Sequence, residues 1–142
     1  MVEFAISVPV ILLLMFGSVE FGNLMINYST LNDAVRDAAR YVAGAALQGS
    51  ADAMVTGAQW NTIATQGQNL AVFGNIAGTG SPLLPSLAVA QVTVTEDLVN
   101  RNITVAAAYP YQALFGAAIP TFRGGSISTA YTLNISTTMR AL

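Results

Sequence analysis

The chain has no cysteine, no histidine and no lysine. Without Cys there are no disulfides, thiolate metal sites, c-type haem attachments or cysteine nucleophiles, and without His the commonest general base and metal ligand is gone. Most enzyme templates fail on these absences, and neither a catalytic centre, a cofactor nor a metal is expected. Charge is scarce as well: charged residues make up 8% of the chain, against roughly 25% in an ordinary soluble domain. The five basic residues are scattered arginines and the formal net charge is −2, so no basic patch is available for phosphates and nucleic acid is not an expected partner. What fills the space is apolar, at 54% hydrophobic residues over 142 positions, enough for one domain plus at most an appendage. A surface so poor in charge implies extensive contact with lipid or with copies of the same chain.

The apolar residues concentrate at the start. Glu3 and Glu20 bracket FAISVPVILLLMFGSV, and the segment stays apolar as far as Ile26. A carboxylate near the centre of a membrane helix costs about 2.5–3.5 kcal/mol on insertion scales, so each acid needs a neutralising partner or a place at the boundary. Glu3 stands where free helix N–H groups, the helix dipole and a neighbouring amine can pair with it. Glu20 stands at the other end, within reach of the headgroup layer. No basic residue precedes the apolar run and no small-residue cleavage site follows it, which is unlike a secretory signal. Either Met1 is a true start or the chain is a mature product whose basic leader was cut ahead of the hydrophobic segment, and the second is the favoured expectation.

Residues 1–49 read as one long N-terminal helix in two halves, and 50–142 as a C-terminal globular α+β region. The first half, 1–26, is apolar all round, as expected of a membrane or filament-core segment. Pro9 removes one backbone hydrogen bond and Gly17 and Gly22 weaken the helix, which makes these three the expected places for a kink or local melting. The second half, 27–49, is amphipathic: Leu31, Ala34, Val35, Ala38, Val42 and Ala45 follow one helical stripe, while Asp33, Arg36, Asp37 and Arg40 form a charge stripe on the opposite side. Asp33 with Arg36, and Asp37 with Arg40, have the spacing of i,i+3 ion pairs, and a solvated face is the expected role of all four.

Gly44 and Gly49 are expected to end this helix, with Ser50 or Asp52 capping a weaker helical stretch over 51–72, anchored by Trp60, Ile63, Leu70, Val72 and Phe73. GNIAGTGSPLLP, 74–85, is a turn-rich loop. From Val89 the period changes to two: Val92 and Val94, then Ile103, Val105, Ala107 and Tyr109, then Tyr131, Leu133 and Ile135 alternate with small or polar residues. This predicts three antiparallel strands, with a hairpin connection over 96–102 and a longer one over 110–125 containing a helical turn near 112–118. One apolar sheet face needs a cover, and the amphipathic stretch 31–46 is the one available.

The order of elements is that of type IV pilin-like proteins. VEFAISVPVILLLMFGSVEFGNLMINYSTLNDAVRDAARYVA resembles the N-terminal region of TadE-like proteins of the tight-adherence pilus systems, through the VEFA start, the Pro in the apolar run, the second VEFG-like word VEFGN and the RDAARY ending. QNLAVFGN, GTGSPLLPSL and the closing STTMR resemble the same family more weakly. The resemblance implies an α+β, type IV pilin-like fold, a leader trimmed by a prepilin peptidase, residence in inner-membrane lipid, and later assembly with copies of itself or another pilin by pilus assembly machinery into a surface filament. It also implies that Glu3 is the family's acidic assembly residue, although in pilins that acid usually stands fifth. An unpaired carboxylate in an apolar helix bundle costs several kcal/mol, so pairing Glu3 with the terminal amine of an adjacent subunit would set register, and Glu20 is the second candidate for subunit assembly. Three roles follow: a major filament subunit that serves adhesion; a minor pseudopilin held in the inner membrane that primes or tips a pilus made of another pilin; and a bitopic scaffold that never polymerises.

Other chemistry is weaker. Glu96 and Asp97 are adjacent acids at a turn, point apart and supply too few oxygen ligands for a cation, so a solvated turn is favoured over a catalytic pair. Asn27, Asn102 and Asn134 begin glycosylation-type triplets. The five tyrosines are too dispersed for electron conduction and are expected in packing or interfaces.

Overall fold

A single helix, α1, runs from Val2 to Ala45 and is about 66 Å long. The computed structural model describes residues 2–47, 53–116, 118–120 and 125–141. After α1 come α2 (Ala58–Phe73), a 3-10 turn at Val89–Gln91, and the strands β1 (Val92–Asp97), β2 (Asn102–Pro110), β3 (Ala118–Pro120), β4 (Ser126–Ser128) and β5 (Thr132–Arg140). The main sheet is antiparallel in the order β1-β2-β5, and β3 and β4 form a separate two-stranded hairpin. This is the expected α+β arrangement of a long N-terminal helix packed on a three-stranded antiparallel sheet.

Period-two alternation sets the sheet. The pairs Val94↔Val105 and Ala107↔Ile135 put the apolar positions of all three strands on one face, while Thr93, Thr95, Ala106, Ala108 and Ser136 occupy the other. Against the apolar face lies the second half of α1. Leu31, Val35, Ala38, Ala39, Val42 and Ala46 are fully buried there with Ile103, Val105 and Tyr109. The four charged residues at 33, 36, 37 and 40 are exposed, as expected of a solvated stripe. Asp37 and Arg40 form an ion pair at 4.0 Å. At two-thirds to three-quarters exposure, such a pair contributes little to stability.

α2 packs beside α1 on the same core. It starts at Ala58 rather than near 51, behind Gly57 at φ 68°, and has no side-chain cap; Gly49, Ser50 and Asp52 lie outside the described residues. Met54 and Val55 are instead drawn toward the core as non-helical chain. Leu47 bridges Met54, the Val55 amide donates to the Ala46 carbonyl at 2.8 Å, and Val55 is buried. Gly74 closes α2 in the left-handed region at φ 72° and donates to the Leu70 carbonyl.

At Gly67, α2 packs tightly against α1. A Cβ built there would lie 2.4 Å from Val42 Cγ2, on a stiff β-branched side chain. Gly67→Ala would gain about 1 kcal/mol of helix propensity, but overpacking typically costs about 1–3 kcal/mol. The substitution is therefore expected to lower the thermal midpoint, whereas Gly44→Ala, on an open helix surface, is expected to raise it. Thermal unfolding followed by circular dichroism compares the two directly.

The segment joining β2 to β5 departs from the expected helical turn near 112–118. Residues 111–113 are irregular, 114–115 turn, and Gly116 at φ 93° ends any helical continuation before the β3–β4 hairpin begins. The loop is fastened to its own return strand: the Tyr111 amide donates to the Tyr131 carbonyl at 2.8 Å, and the Thr129 hydroxyl donates to the Gly116 carbonyl at 2.5 Å.

Candidate assembly and membrane site

The first half of α1 stands clear of the rest of the fold as far as Met15, and from Phe16 to Leu24 it is packed on one side only. Phe4 is 75% exposed, and Ile11, Leu14, Met15, Phe21 and Ile26 are also exposed. α1 is long and apolar enough to cross a membrane, and only 6% of its most apolar window is buried. The core helix of a soluble protein would be mostly buried, so this face has to meet lipid or other protein. The helix is continuous through Pro9, Gly17 and Gly22, with open space around both glycines. Back-bonding by the Ser18 hydroxyl to the Leu14 carbonyl and by Thr30 to Ile26 hides these hydroxyls along the apolar surface. Glu3 falls in the first turn of α1, and its side chain lies outside what the structure describes.

Glu20 has a defined environment. It is 8% exposed, and its carboxylate is enclosed by the segment following β2. The Tyr111 hydroxyl donates to Oε1 at 2.6 Å, and the Leu114 amide donates to Oε2 at 3.1 Å, with Oε1 at 3.3 Å. Asn23 Nδ2, one helical turn further on, donates to the Tyr111 oxygen at 2.7 Å. Together these hydrogen bonds satisfy a buried acid that the apolar helix surface could not. Burial, and secondarily the Glu20 hydrogen bond, pushes the Tyr111 phenol above its ordinary value. Just N-terminal to this, Phe16 and Phe115 rings meet at 4.8 Å in a tilted arrangement. Between helix and hairpin lies a cavity of about 190 Å³ lined by Gly17, Phe21, Leu24, Ile127 and Tyr131, among others.

The structure thus brings one of the two expected acids together with residues that sequence reasoning had not singled out. Glu20 was expected at a boundary or subunit contact, and in the isolated chain its partners are intramolecular. A buried acid in an apolar run signals that some donor must exist, but not which one. Tyr111, Asn23 and the Leu114 amide carried no local signal of their own.

The turn acids separate. Asp97 caps its own turn, accepting from the Val99 and Asn100 amides at 3.0 and 3.1 Å and from the Asn100 side chain at 2.7 Å, which holds its carboxyl below the usual range. Glu96 lies on the helix-covered face opposite Ile103, where desolvation raises its carboxyl. Neighbouring positions on one strand put these two side chains on opposite faces, which separates them as a catalytic pair. Tyr109 and Tyr41 serve packing, with hydroxyls donating to the Pro85 carbonyl at 3.0 Å and to Gln66 Oε1 at 2.7 Å.

A long helix with a bare apolar first half, whose second half is the core of a small antiparallel α+β unit, is a layout consistent with a pilin-like fold. Residues 1–40 match the family of TadE-like proteins, in agreement with the resemblance carried by VEFA, VEFGN and RDAARY. No curated protein and no solved structure matches the chain. The matched stretch covers the apolar half of α1, Glu20 and the charge stripe, and stops short of α2 and the sheet.

Proposed function

We propose that this protein is a non-enzymatic structural subunit of a tight-adherence pilus system, held in the inner membrane by the first half of α1 and then transferred, through that same surface, into an extracellular helical filament. The observation that carries this reading is the exposed apolar half of α1 projecting from a folded α+β unit, within a stretch similar to TadE-like proteins. Moving such a helix from lipid into a bundle of identical helices yields little hydrophobic gain, so register must come from close small-residue contacts and charge pairing. Gly17 and Gly22 leave open backbone for the first, and Glu3 is the acid available for the second, since Glu20 already has partners. Pro9, Gly17 and Gly22 are also the points at which α1 would yield most easily inside an assembly.

Glu3→Gln and Glu3→Ala are expected to abolish most filament while leaving the protein in the membrane fraction. Negative-stain imaging of sheared surface material, with N-terminal sequencing of the filament protein, reads both the yield and the mature start. Unchanged filament with either substitution overturns the register role of Glu3. Recovery of the unaltered chain only in the inner membrane, unpolymerised, overturns the filament-subunit role in favour of a minor pseudopilin or a bitopic scaffold.

A further inference from the structure

We infer that the loop and hairpin between β2 and β5 form a lipid-facing lip, seated in the membrane boundary beside α1, with Leu114, Phe115, Ile127 and Tyr131 turned toward the bilayer. This inference rests on the membrane stage of the proposed function. A bilayer hydrocarbon core is about 30 Å thick, and a helix rises about 1.5 Å per residue. From Phe4, just past the charge of Glu3, to Met15 the helix covers only about 18 Å, and at Phe16 it already meets Phe115 of the loop. The apolar run continues to Ile26, about 34 Å from its start. The stretch from Phe4 to Met15 is therefore too short to span alone, and a span by the whole apolar run draws the segment packed on residues 16–24 into the boundary layer.

That segment has the composition this position requires. Leu114, Phe115, Ile127 and Tyr131 are each 43–59% exposed, continuous with the apolar flank of α1 at Phe16 and Phe21. Aromatic rings such as those of Phe115 and Tyr131 suit the headgroup boundary. The polar groups are turned the other way: Glu20, Tyr111, Asn23 and the Leu114 amide satisfy each other between helix and lip. An acid about 24 Å along the span is thereby enclosed in protein rather than exposed to lipid, which is how ionisable residues are accommodated at membrane depth.

Because the chain lacks Cys, single cysteines can be introduced and labelled without background. Leu114→Cys and Ile127→Cys, each carrying an environment-sensitive fluorophore, would be reconstituted as the full chain in phosphatidylcholine–phosphatidylglycerol vesicles. Leu12→Cys serves as the deep control, and Val99→Cys as the aqueous one, since it is 90% exposed beyond the far end of β2. The expected result is several-fold stronger quenching of the Leu114 and Ile127 labels by lipids spin-labelled near the headgroup than of the Val99 label, with matching protection from aqueous iodide. Iodide access at both positions equal to that at Val99, with Leu12 still quenched by deeply labelled lipid, overturns the lip while leaving the membrane span intact. Protection without lipid quenching, accompanied by energy transfer between labelled copies, overturns it in favour of a second copy of the chain. Loss of lipid quenching at Leu12 overturns the membrane stage itself.

Discussion

Glu20→Ala is expected to weaken the attachment of the loop and hairpin to α1 by about 3 kcal/mol, because it leaves the Tyr111 hydroxyl and the Leu114 amide buried with their principal acceptor gone. Relief of the carboxylate's own desolvation offsets part of this, but breaking a buried charged network by removing one member is generally costly. Glu20→Gln keeps the shape and one acceptor oxygen, and its donor-bearing Nε2 has to face a donor or be turned, so an intermediate loss is expected. Tyr111→Phe removes the shortest bond, and in the Glu20→Ala background it should cost much less than in the native chain. That non-additivity, measured in a double-mutant cycle by denaturant unfolding in detergent, separates a coupled contact from two independent packing defects. Amide hydrogen exchange should rise over 111–131 in Glu20→Ala while the protection of β1 and β2 is retained. An additive cycle, or exchange unchanged in the hairpin, would show that the carboxylate does not hold this segment.

Tyr109→Ala is expected to have the largest effect on the folded unit, about 3–5 kcal/mol from lost burial and the cavity left behind. Tyr109 is fully buried at the end of β2, paired with Leu133 across the sheet, and its hydroxyl fastens the 74–85 loop through the Pro85 carbonyl. Tyr109→Phe removes only that hydrogen bond and is expected to cost about 1 kcal/mol. Total stabilities of domains are about 5–15 kcal/mol, so the alanine variant should lie near the edge of folding and show a much lower denaturant midpoint. Equal midpoints for Tyr109→Ala and Tyr109→Phe would mean that the ring contributes little, against its complete burial.

Much of this architecture was legible because its signals are periodic and local. Leu31, Ala34, Val35, Ala38 and Val42 announce a covered helix face by their spacing, and Ile103, Val105, Ala107 and Tyr109 a covered strand face by theirs. The expected helical start near 51 failed because Met54 and Val55 gain more as non-helical chain against Leu47 and Ala46 than as the first turn of a helix, and Gly57 then interrupts with a positive φ. The expected turn near 112–118 failed for a related reason: QALFGA has acceptable helix formers, but Gly116 at φ 93° and the pairing of Ile119 with Ile127 commit the chain to a hairpin. Neither competing contact is visible in a local window.

The amino-acid sequence by itself determined the apolar run, the amphipathic half of α1, the three-stranded sheet and the resemblance to TadE-like proteins, because each depends on composition or on side-chain spacing within one element. Only the tertiary structure decided what Glu20 does. Its hydroxyl partner lies 91 residues away in sequence, at the end of a strand whose position against α1 is set by packing of the shared core. A carboxylate attracts any donor brought within hydrogen-bond range, so its identity as a lone acid in an apolar helix could not say which donor the fold would bring there.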